Sequence, residues 1–575
     1  MEKTNPSRTA GESCSDKKIL LALLPFWDPQ IPPLGLACIK SFLEQHGYRV
    51  TAVDANLELE FRDIYDCYFK ILDDNVPESK RGNLYNIGNQ VLRNHLMTHL
   101  NYDDEEKYIE LIEILVLKTF YCNLDKSNIV ELNKLMAGFY NKLERYFIDL
   151  LEKENPSVLG LSLYGDTLPA SIFAARLAKE RIPAIKIVVG GGVFADQLAP
   201  GAPNLEAFLE KTVDYIDKII IGEGEQLMLK FLRSELKESQ RVFGIKDLDD
   251  KNMSLTSLSV PDFSDFDIQK YPHLAHYGAR SCPYQCRFCS ETVIWGKYRK
   301  KRVSRLVEEF RQLSRQYSHQ LFLMTDSLLN PIVTPLAKEI IKEKVPVYWD
   351  GFLRADKPVC DPGNTFLWRQ GGFYRAKLGI ESGSPNVLKL MGKQITVGQI
   401  EKALTSLAYA GVKTTTFWLF GFPGETEEDF QQTLDLVEKL KDYIYEADCN
   451  AFNYYLTGQV NSEEWIKQNK GILLYPRWAK NMLVSQTWVL NCEPSREEAY
   501  QRLNRFIRHI DALGIPNPYS LNEIYKADER WKKLHKNAVP SLLSFKNSEV
   551  SIEERCRLKR VAVFRNTLED DDDWL

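Results

Sequence analysis

His276-Tyr-Gly-Ala-Arg-Ser281-Cys282-Pro-Tyr-Gln-Cys286-Arg-Phe-Cys289 reads as a short strand, residues 276–281, running directly into a loop that carries three cysteines. A loop this compact can aim three thiolates at one soft metal centre. Three ligands leave one iron of a four-iron cluster open, and an open iron can chelate a further ligand. A structural zinc site normally closes with four ligands, usually as two separated pairs. No second pair lies near this loop.

Outward from the loop, apolar strands alternate with helical periodicity. Downstream strands are expected near 321–324, 345–350, 375–381 and 414–420. Together with 276–281 they make a β/α series over 271–445, which implies a parallel sheet. Upstream, residues 18–235 read as a separate doubly wound domain. It opens with KILLALLPFW, a buried-strand pattern; an amphipathic helix follows over 35–46, with Gly47 as its C-cap. Strands at 49–53, 157–165, 185–192 and 215–221 continue it, and residues 60–150 interrupt it with an all-helical insertion. Ligands bind such sheets at the carboxyl ends of the strands. Here those ends are the loops holding Gln30 and Pro32; Tyr164, Asp166 and Thr167; Gly190, Gly191 and Gly192; and Gly222, Glu223 and Glu225. Glycine there allows a backbone to approach a large or phosphate-bearing ligand.

Residues 236–270 are expected to be a linker. Residues 446–575 are read as helical and aromatic-rich, ending in the acidic tail EDDDDWL. Residues 1–17 form a polar leader expected to be disordered, without the apolar stretch of a signal peptide. Tyr454, Tyr455, Trp465 and Trp478 are expected in the core rather than in a substrate platform. The basic run 297–302 with Arg305 reads as a solvated helix start. At 575 residues, 44% hydrophobic, 27% charged and with a net charge of −5, the composition is globular. It lacks the concentrated positive charge of a nucleic-acid binder, and no stretch is long enough for a membrane span. Eleven scattered cysteines fit a reducing compartment, the cytoplasm, better than a disulfide framework.

The C-x3-C-x2-C spacing, with Phe288 before the last cysteine, resembles the radical S-adenosylmethionine superfamily. The resemblance implies a partial (β/α)6 barrel and a [4Fe-4S] cluster on Cys282, Cys286 and Cys289. S-adenosylmethionine would bind through its amino and carboxylate groups to the open iron, and the cluster would cleave it to a 5′-deoxyadenosyl radical. Leu378-Gly-Ile-Glu-Ser-Gly383, with Met391-Gly-Lys393, is similar to the family's middle strand and following loop. Glu381 and Ser382 are thereby implied near the cofactor, with an ion pair at the barrel mouth as the rival role for Glu381 and Arg354. Phe420-Gly-Phe-Pro-Gly-Glu-Thr426 is similar to the turn near the adenine and brings in Phe422. Thr325 and Asp326 occupy the place of the family's glycine-rich amino-group contact but depart from its sequence. Arg354 follows the third strand and is implied to face the cofactor.

The order of the two domains resembles the cobalamin-dependent class of that superfamily. Many cobalamin domains carry Asp-x-His-x-x-Gly, whose histidine ligates cobalt. The corresponding loop here, Asp28-Pro-Gln-Ile-Pro-Pro-Leu-Gly35, has none, so cobalamin without a histidine ligand is implied. The resemblance further implies a class B-like methyltransferase. The radical would remove hydrogen from a substrate carbon, and methylcobalamin would then supply the methyl group. The alternative with the same cofactors is rearrangement, ring contraction or cyclisation without net methylation. A rival of another class is a sensor that binds the cofactors without turnover. Implied partners are a peptide or small-molecule natural-product substrate and an electron donor such as flavodoxin or ferredoxin.

Overall fold

The computed structural model describes residues 17–248, 254–457, 459, 471–519 and 521–535. The leader up to residue 16, the acidic tail and Trp465 lie outside the described residues.

The first sheet contains β1 (Lys18–Leu23), β2 (Arg49–Asp54), β3 (Val158–Ser162), β4 (Lys186–Gly190), β5 (Lys218–Ile220) and β6 (Val242–Phe243). Its order is β2-β1-β3-β4-β5-β6, and every neighbouring pair is parallel. The reversal of direction at β1 and β3 is the switch point at which doubly wound sheets open a ligand crevice. β1, β3 and β4 are buried over nearly their full length, as strands covered on both faces must be. Helix Leu34–Gln45 ends before Gly47, which takes φ +85°. The 297–302 run departs from a solvated helix start: part of it is a strand, and Lys301 is 2% exposed and bonded to Glu309 at 2.7 Å.

Between β2 and β3 the chain forms helices Leu59–Asn75, Leu84–Asn101, Glu105–Phe120 and Lys126–Glu154. Their apolar stripes bury Phe61, Tyr65, Phe69, Leu111, Leu115, Phe139 and Phe147 in the core of the first sheet. Histidines within this insertion are internal. His95 hydrogen-bonds the Tyr68 and Tyr108 hydroxyls at 3.0 and 2.9 Å, and burial pushes its pKa down to about 3.

Residues 236–270, expected to be a linker, instead supply β6 to the first sheet and bury Phe243, Phe263 and Phe266 in the core, and the second sheet follows them. It contains β7 (Leu274–His276), then, after a small ribbon of β8 (Ala279–Arg280) and β9 (Arg299–Lys300), strands β10 (Leu321–Met324), β11 (Tyr348–Leu353), β12 (Phe373–Glu381), β13 (Lys413–Phe420) and β14 (Glu446–Ala451). The order β14-β13-β12-β11-β10-β7 is parallel throughout, with helices between successive strands, which is a six-stranded partial barrel. The expected strand at 276–281 is split. β7 joins the barrel, Gly278 and Ser281 break the run, and Ala279–Arg280 pairs antiparallel with β9.

β12 shows how the barrel is held. Tyr374, Ala376, Leu378 and Ile380 are buried on the helix side. Arg375 and Lys377 alternate with them on the inner face. There Arg375 donates to Asp350 through Nε at 2.8 Å, and Lys377 lies 3.7 Å from the same carboxylate. Glu446 on β14 accepts from Thr415 at 2.6 Å and stands 3.7 Å from Arg375. Because of this polar inner face β14 lacks an apolar run: in EADCNA the Glu446 side chain is buried in a polar network.

Beyond β14, the described residues are less helical than expected. They contain two α-helices, Arg496–Ala512 and Leu521–Leu534, together with a hairpin of β15 (Ile472–Leu473) and β16 (Trp488–Val489) and irregular chain. The Arg496–Ala512 helix caps the barrel end. Arg502 donates to Glu425 at 2.9 Å, and Glu425 in turn accepts from the Gly421 N–H at 2.8 Å. Gly421 holds φ +78°, and a methyl group there would lie 2.1 Å from the Ala499 Cβ. Gly421→Ala is therefore expected to destabilise the protein by about 2 kcal/mol or more, since it adds both a left-handed strain and an overpacked contact. Chemical denaturation of the two proteins measures it, and equal midpoints would refute this account of the turn.

Candidate functional site

The cysteine loop begins at a strained point. Ser281 sits at φ +72° and its hydroxyl donates to the Gly296 carbonyl at 2.7 Å, which closes residues 281–296 into a loop. Inside it the Cys289 N–H donates to the Cys286 carbonyl at 3.0 Å, and the Arg287 N–H donates to the Met391 carbonyl at 2.9 Å. The three thiols are free and half-buried. Burial pushes the Cys289 thiol up to about 12 and raises Cys282 as well. Only a bound cation would hold such thiols as thiolates at neutral pH. Among the described residues no group of three or more His, Cys, Asp or Glu side chains is placed to hold a single metal ion. Three thiolates on one short loop are a donor set suited to an iron–sulfur cluster, in which each would bind a different iron.

Arg354 lies against the loop. Its Nη1 is 3.7 Å from the Cys286 sulfur, and its guanidinium stands 4.1 Å over the Tyr284 ring. It is 4% exposed, and its Nη2 has no hydrogen-bond partner among the described residues. Glu381 ends β12 at φ +69° and is paired with Lys393 at 2.7 Å. Phe288 packs with Phe422, Val387, Met391 and Tyr454 in a small apolar cluster beside the cysteines. Ser382 is buried and bonds Thr433 at 3.1 Å.

Thr325 and Asp326 are bound inward. The Thr325 hydroxyl donates to the His276 carbonyl at 3.3 Å. Asp326 is 1% exposed and accepts the Gly278 N–H at 3.1 and 2.9 Å, tying β10 to the turn ahead of the cysteines. The structure thus gives this carboxylate a protein partner in place of an open face. Burial pushes its pKa up to about 7.

The carboxyl edge of the first sheet faces this loop. Trp27 stacks on Tyr164 with ring centroids 4.1 Å apart. Gly191 takes φ +114° with the Leu163 backbone against it, and a methyl group on Gly192 would lie 2.8 Å from the Tyr164 ring. These glycines pack β4 under the β3 loop. Gly190 does the same against β5, where a Cβ would stand 3.0 Å from the Ile220 carbonyl. Thr167 is buried and accepts the Tyr164 N–H at 2.9 Å. Asp166 pairs with Arg93 of the helical insertion at 3.4 Å. Gln30 and Pro32 lie on the loop after β1, where Gln30 donates to Asp28 at 2.7 Å.

Glu223 and Glu225 have a role that the sequence did not show. Both are nearly fully buried and belong to an ion-pair set that crosses between the domains. Arg280 is 3.0 Å from Glu223, and it also donates to Glu225; Arg299 pairs with Glu223. Burial works against every one of these charges. The Arg280 guanidinium nevertheless holds Glu225 below the ordinary carboxylate range, and Glu225 raises Arg280 in turn. Their carboxylates are committed to these arginines rather than left open toward a ligand. Arg280 immediately precedes Ser281 and the cysteines, and Gly222 adjoins the Ile294 carbonyl of the loop's closing helix.

A cleft of about 910 Å³, counting space open to solvent, lies where all parts of the chain meet. Arg93 from the insertion, Asp196 after the glycine loop, Phe452 to Leu456 after β14 and Gln486 to Arg496 contribute to it. Tyr454 and Tyr455 thus line a cavity as well as packing. Nothing in their spacing signals this, since the wall is assembled from segments hundreds of residues apart.

The radical SAM superfamily pattern matches residues 277–437. An uncharacterized methyltransferase of Pyrococcus horikoshii is 24% identical over 51% of this chain and 66% of its own length. The anaerobic magnesium-protoporphyrin IX monomethyl ester cyclase of Rubrivivax gelatinosus is 25% identical over 48% and 53%. The chain thus spans between half and two thirds of the length of these curated relatives. Among solved structures, the radical S-adenosylmethionine methyltransferase TsrM from Kitasatospora setae, with cobalamin and a [4Fe-4S] cluster bound, is similar at TM-score 0.51 and 16% identity, covering 80% of this chain and 79% of that one. The cobalamin-dependent S-adenosylmethionine radical enzyme OxsB is similar at TM-score 0.53 and 15% identity, covering 90% and 70%.

The barrel domain belongs to the radical SAM superfamily. The chain as a whole has the two-domain fold of the superfamily's cobalamin-dependent members. No helix among the described residues is long and apolar enough to cross a membrane.

Two outcomes follow from this geometry. Replacing Arg280 by alanine strands the buried Glu225 carboxylate and leaves Glu223 to Arg299 alone, and is expected to cost about 3–5 kcal/mol. Glu223→Gln with Arg280→Ala should show coupling in a double-mutant cycle of denaturation energies, and additive losses would refute the pairing. The second concerns pH. Because Asp326 binds its proton more tightly folded than unfolded, its contribution is present below the ordinary carboxylate pKa and is lost as pH rises toward about 7. Asp326→Asn is expected to flatten the fall in stability between about pH 4 and pH 7, measured by urea titration across that range. An unchanged slope would refute the assignment.

Proposed function

We propose that this chain is a cobalamin-dependent radical S-adenosylmethionine methyltransferase that methylates a substrate carbon. The observation that carries the reading is the seating of the first sheet's carboxyl edge on the cysteine loop through Glu223, Glu225, Arg280 and Arg299. That arrangement puts the two cofactor-binding edges side by side, and the cleft adjoins the cysteine loop through Tyr454, which packs with Phe288. The same-fold proteins TsrM and OxsB, described as cobalamin-dependent or cobalamin-bound, support it, as does the methyltransferase relative.

In this reading Cys282, Cys286 and Cys289 hold the [4Fe-4S] cluster, and the loops after β1, β3, β4 and β5 hold cobalamin, with no histidine in the β1 loop to reach cobalt. When bound, these groups supply reductive cleavage of S-adenosylmethionine and carriage of the methyl group. The chain's own work is to bind, orient and exclude water. Arg354 places positive charge against the Cys286 sulfur, where it would offset negative charge on a bound cluster and its ligand. Lys393 fixes Glu381 in one orientation at the barrel mouth. Phe288 and Phe422 supply an apolar wall that keeps solvent from the reacting centre. An electron donor such as flavodoxin or ferredoxin, in a reducing cytoplasm, completes the scheme.

The cyclase relatives carry the second reading, the same cofactors without net methylation. Product mass separates the two. Incubation of reconstituted protein with substrate, S-adenosylmethionine, cobalamin and reductant is expected to give a product heavier by one methyl group, with 5′-deoxyadenosine and S-adenosylhomocysteine both formed. A product without added methyl despite 5′-deoxyadenosine moves the assignment to cyclisation or rearrangement. The variant with all three cysteines changed to alanine is expected to lose iron and every product, and retained cluster absorbance would overturn the ligand assignment.

A further inference from the structure

The cleft contains two guanidinium groups, and they are not equivalent. Arg93 is matched by Asp166 at 3.4 Å, and Asp196, which burial pushes up to about 6, adds negative charge on the same side. Arg496 is matched only by neutral groups. It donates to the Lys118 carbonyl, to the Tyr121 hydroxyl at 3.3 Å, to Gln90 Oε1 at 3.1 Å and to the Tyr500 hydroxyl at 3.0 Å. It also stands 4.4 Å over the Tyr500 ring. Among the described residues no carboxylate lies within ion-pair distance of it. A half-buried cation among neutral acceptors keeps its attraction for an anion.

A second feature of the same wall points to a ligand independently. Gln486 is 8% exposed, and neither its Oε1 nor its Nε2 has a hydrogen-bond partner among the described residues. Its backbone N–H, held by Asn204 Oδ1 at 2.9 Å, fixes the residue in place. A buried amide open at both ends is costly, and a ligand presenting a donor beside an acceptor removes that cost. Phe452, Tyr455 and Trp488 give the rest of the wall an aromatic surface.

We infer that the cleft binds a carboxylate-bearing substrate, its carboxylate seated on Arg496 and its amide-type edge on Gln486. The inference rests on the methyltransferase reading, for which this cleft is the substrate chamber. A single guanidinium matches a planar, singly charged anion in bidentate fashion, and a carboxylate would take the place of the two longest neutral contacts, Tyr121 at 3.3 Å on Nη1 and Gln90 at 3.1 Å on Nη2. The described lining contains no lysine to neutralise a phosphate dianion. The same chemistry is offered by a free acylated amino acid and by the carboxyl end of a peptide.

Calorimetric titration of the reconstituted full chain distinguishes these sources. The small probe is N-acetylphenylalanine and the peptide probe acetyl-alanyl-alanyl-phenylalanine, each compared with its C-terminal amide. At least one acid is expected to bind about tenfold or more tightly than its amide, and the arm that does so names the source. Arg496→Gln should abolish the preference, while Arg496→Lys should keep part of it, which shows that the fold survives. Gln486→Leu should weaken acid and amide alike, because both share the amide edge. Equal binding of acid and amide, a preference that survives Arg496→Gln, or no binding by any probe would overturn the inference. Because binding is read without turnover, failure of methyl transfer leaves it standing. Methylation of a substrate without a carboxylate would overturn the inference and leave the methyltransferase reading intact.

Discussion

The buried ion-pair set of Glu223, Glu225, Arg280 and Arg299 is the constraint on which the rest of this molecule depends. Two charges taken out of water return their desolvation cost only when geometry and partners are nearly complete. Here they are, since Arg280 serves both carboxylates at once. Arg280 is also the residue that leads into Ser281 and the cysteines. The first domain's glutamates therefore fix where the second domain's metal-binding loop begins. Neither sheet alone determines that position.

The loop itself is held from several directions. Asp326 clasps the Gly278 N–H from below, Ser281 closes onto Gly296, and Met391 accepts from Arg287 on the far side. The thiols are thus presented by a backbone tied at both ends and in its middle by hydrogen bonds to the rest of the chain. Arg354 and the Phe288 cluster then give the thiols unlike neighbours, a cation on one side and an apolar wall on the other. An open iron on such a loop would meet both a counter-charge for a carboxylate and a surface that excludes water.

The cleft is the product of convergence rather than of any one element. The helical insertion brings Arg93 and Gln90, the glycine loop brings Asp196, and the Arg496–Ala512 helix brings Arg496 while bracing the barrel through Arg502 and Glu425. The insertion, whose sequence carries no legible chemistry, thereby becomes one wall of the cleft. The glycines after β4 also change meaning. They look like a cradle for a ligand, yet each first serves close packing against Leu163, Tyr164 or Ile220.

The sequence by itself determined the fold class and the cysteine loop, because both are written in local pattern. Apolar runs alternating with 3.6-residue periodicity specify parallel α/β sheets, and three cysteines within eight residues share one short loop. It missed β14, whose inner-face side chains are polar since they pair with Thr415 and Arg375 across the barrel. It offered Glu223 and Glu225 as ligand contacts, because an acidic residue beside a glycine looks the same whether its partner is a ligand or an arginine from another domain. Only the tertiary structure decided that difference, and only it assembled Arg496 and Gln486 on one wall with Arg93. Long-range pairing of charges depends on where separate elements pack, and no periodicity in the chain encodes the distance between them.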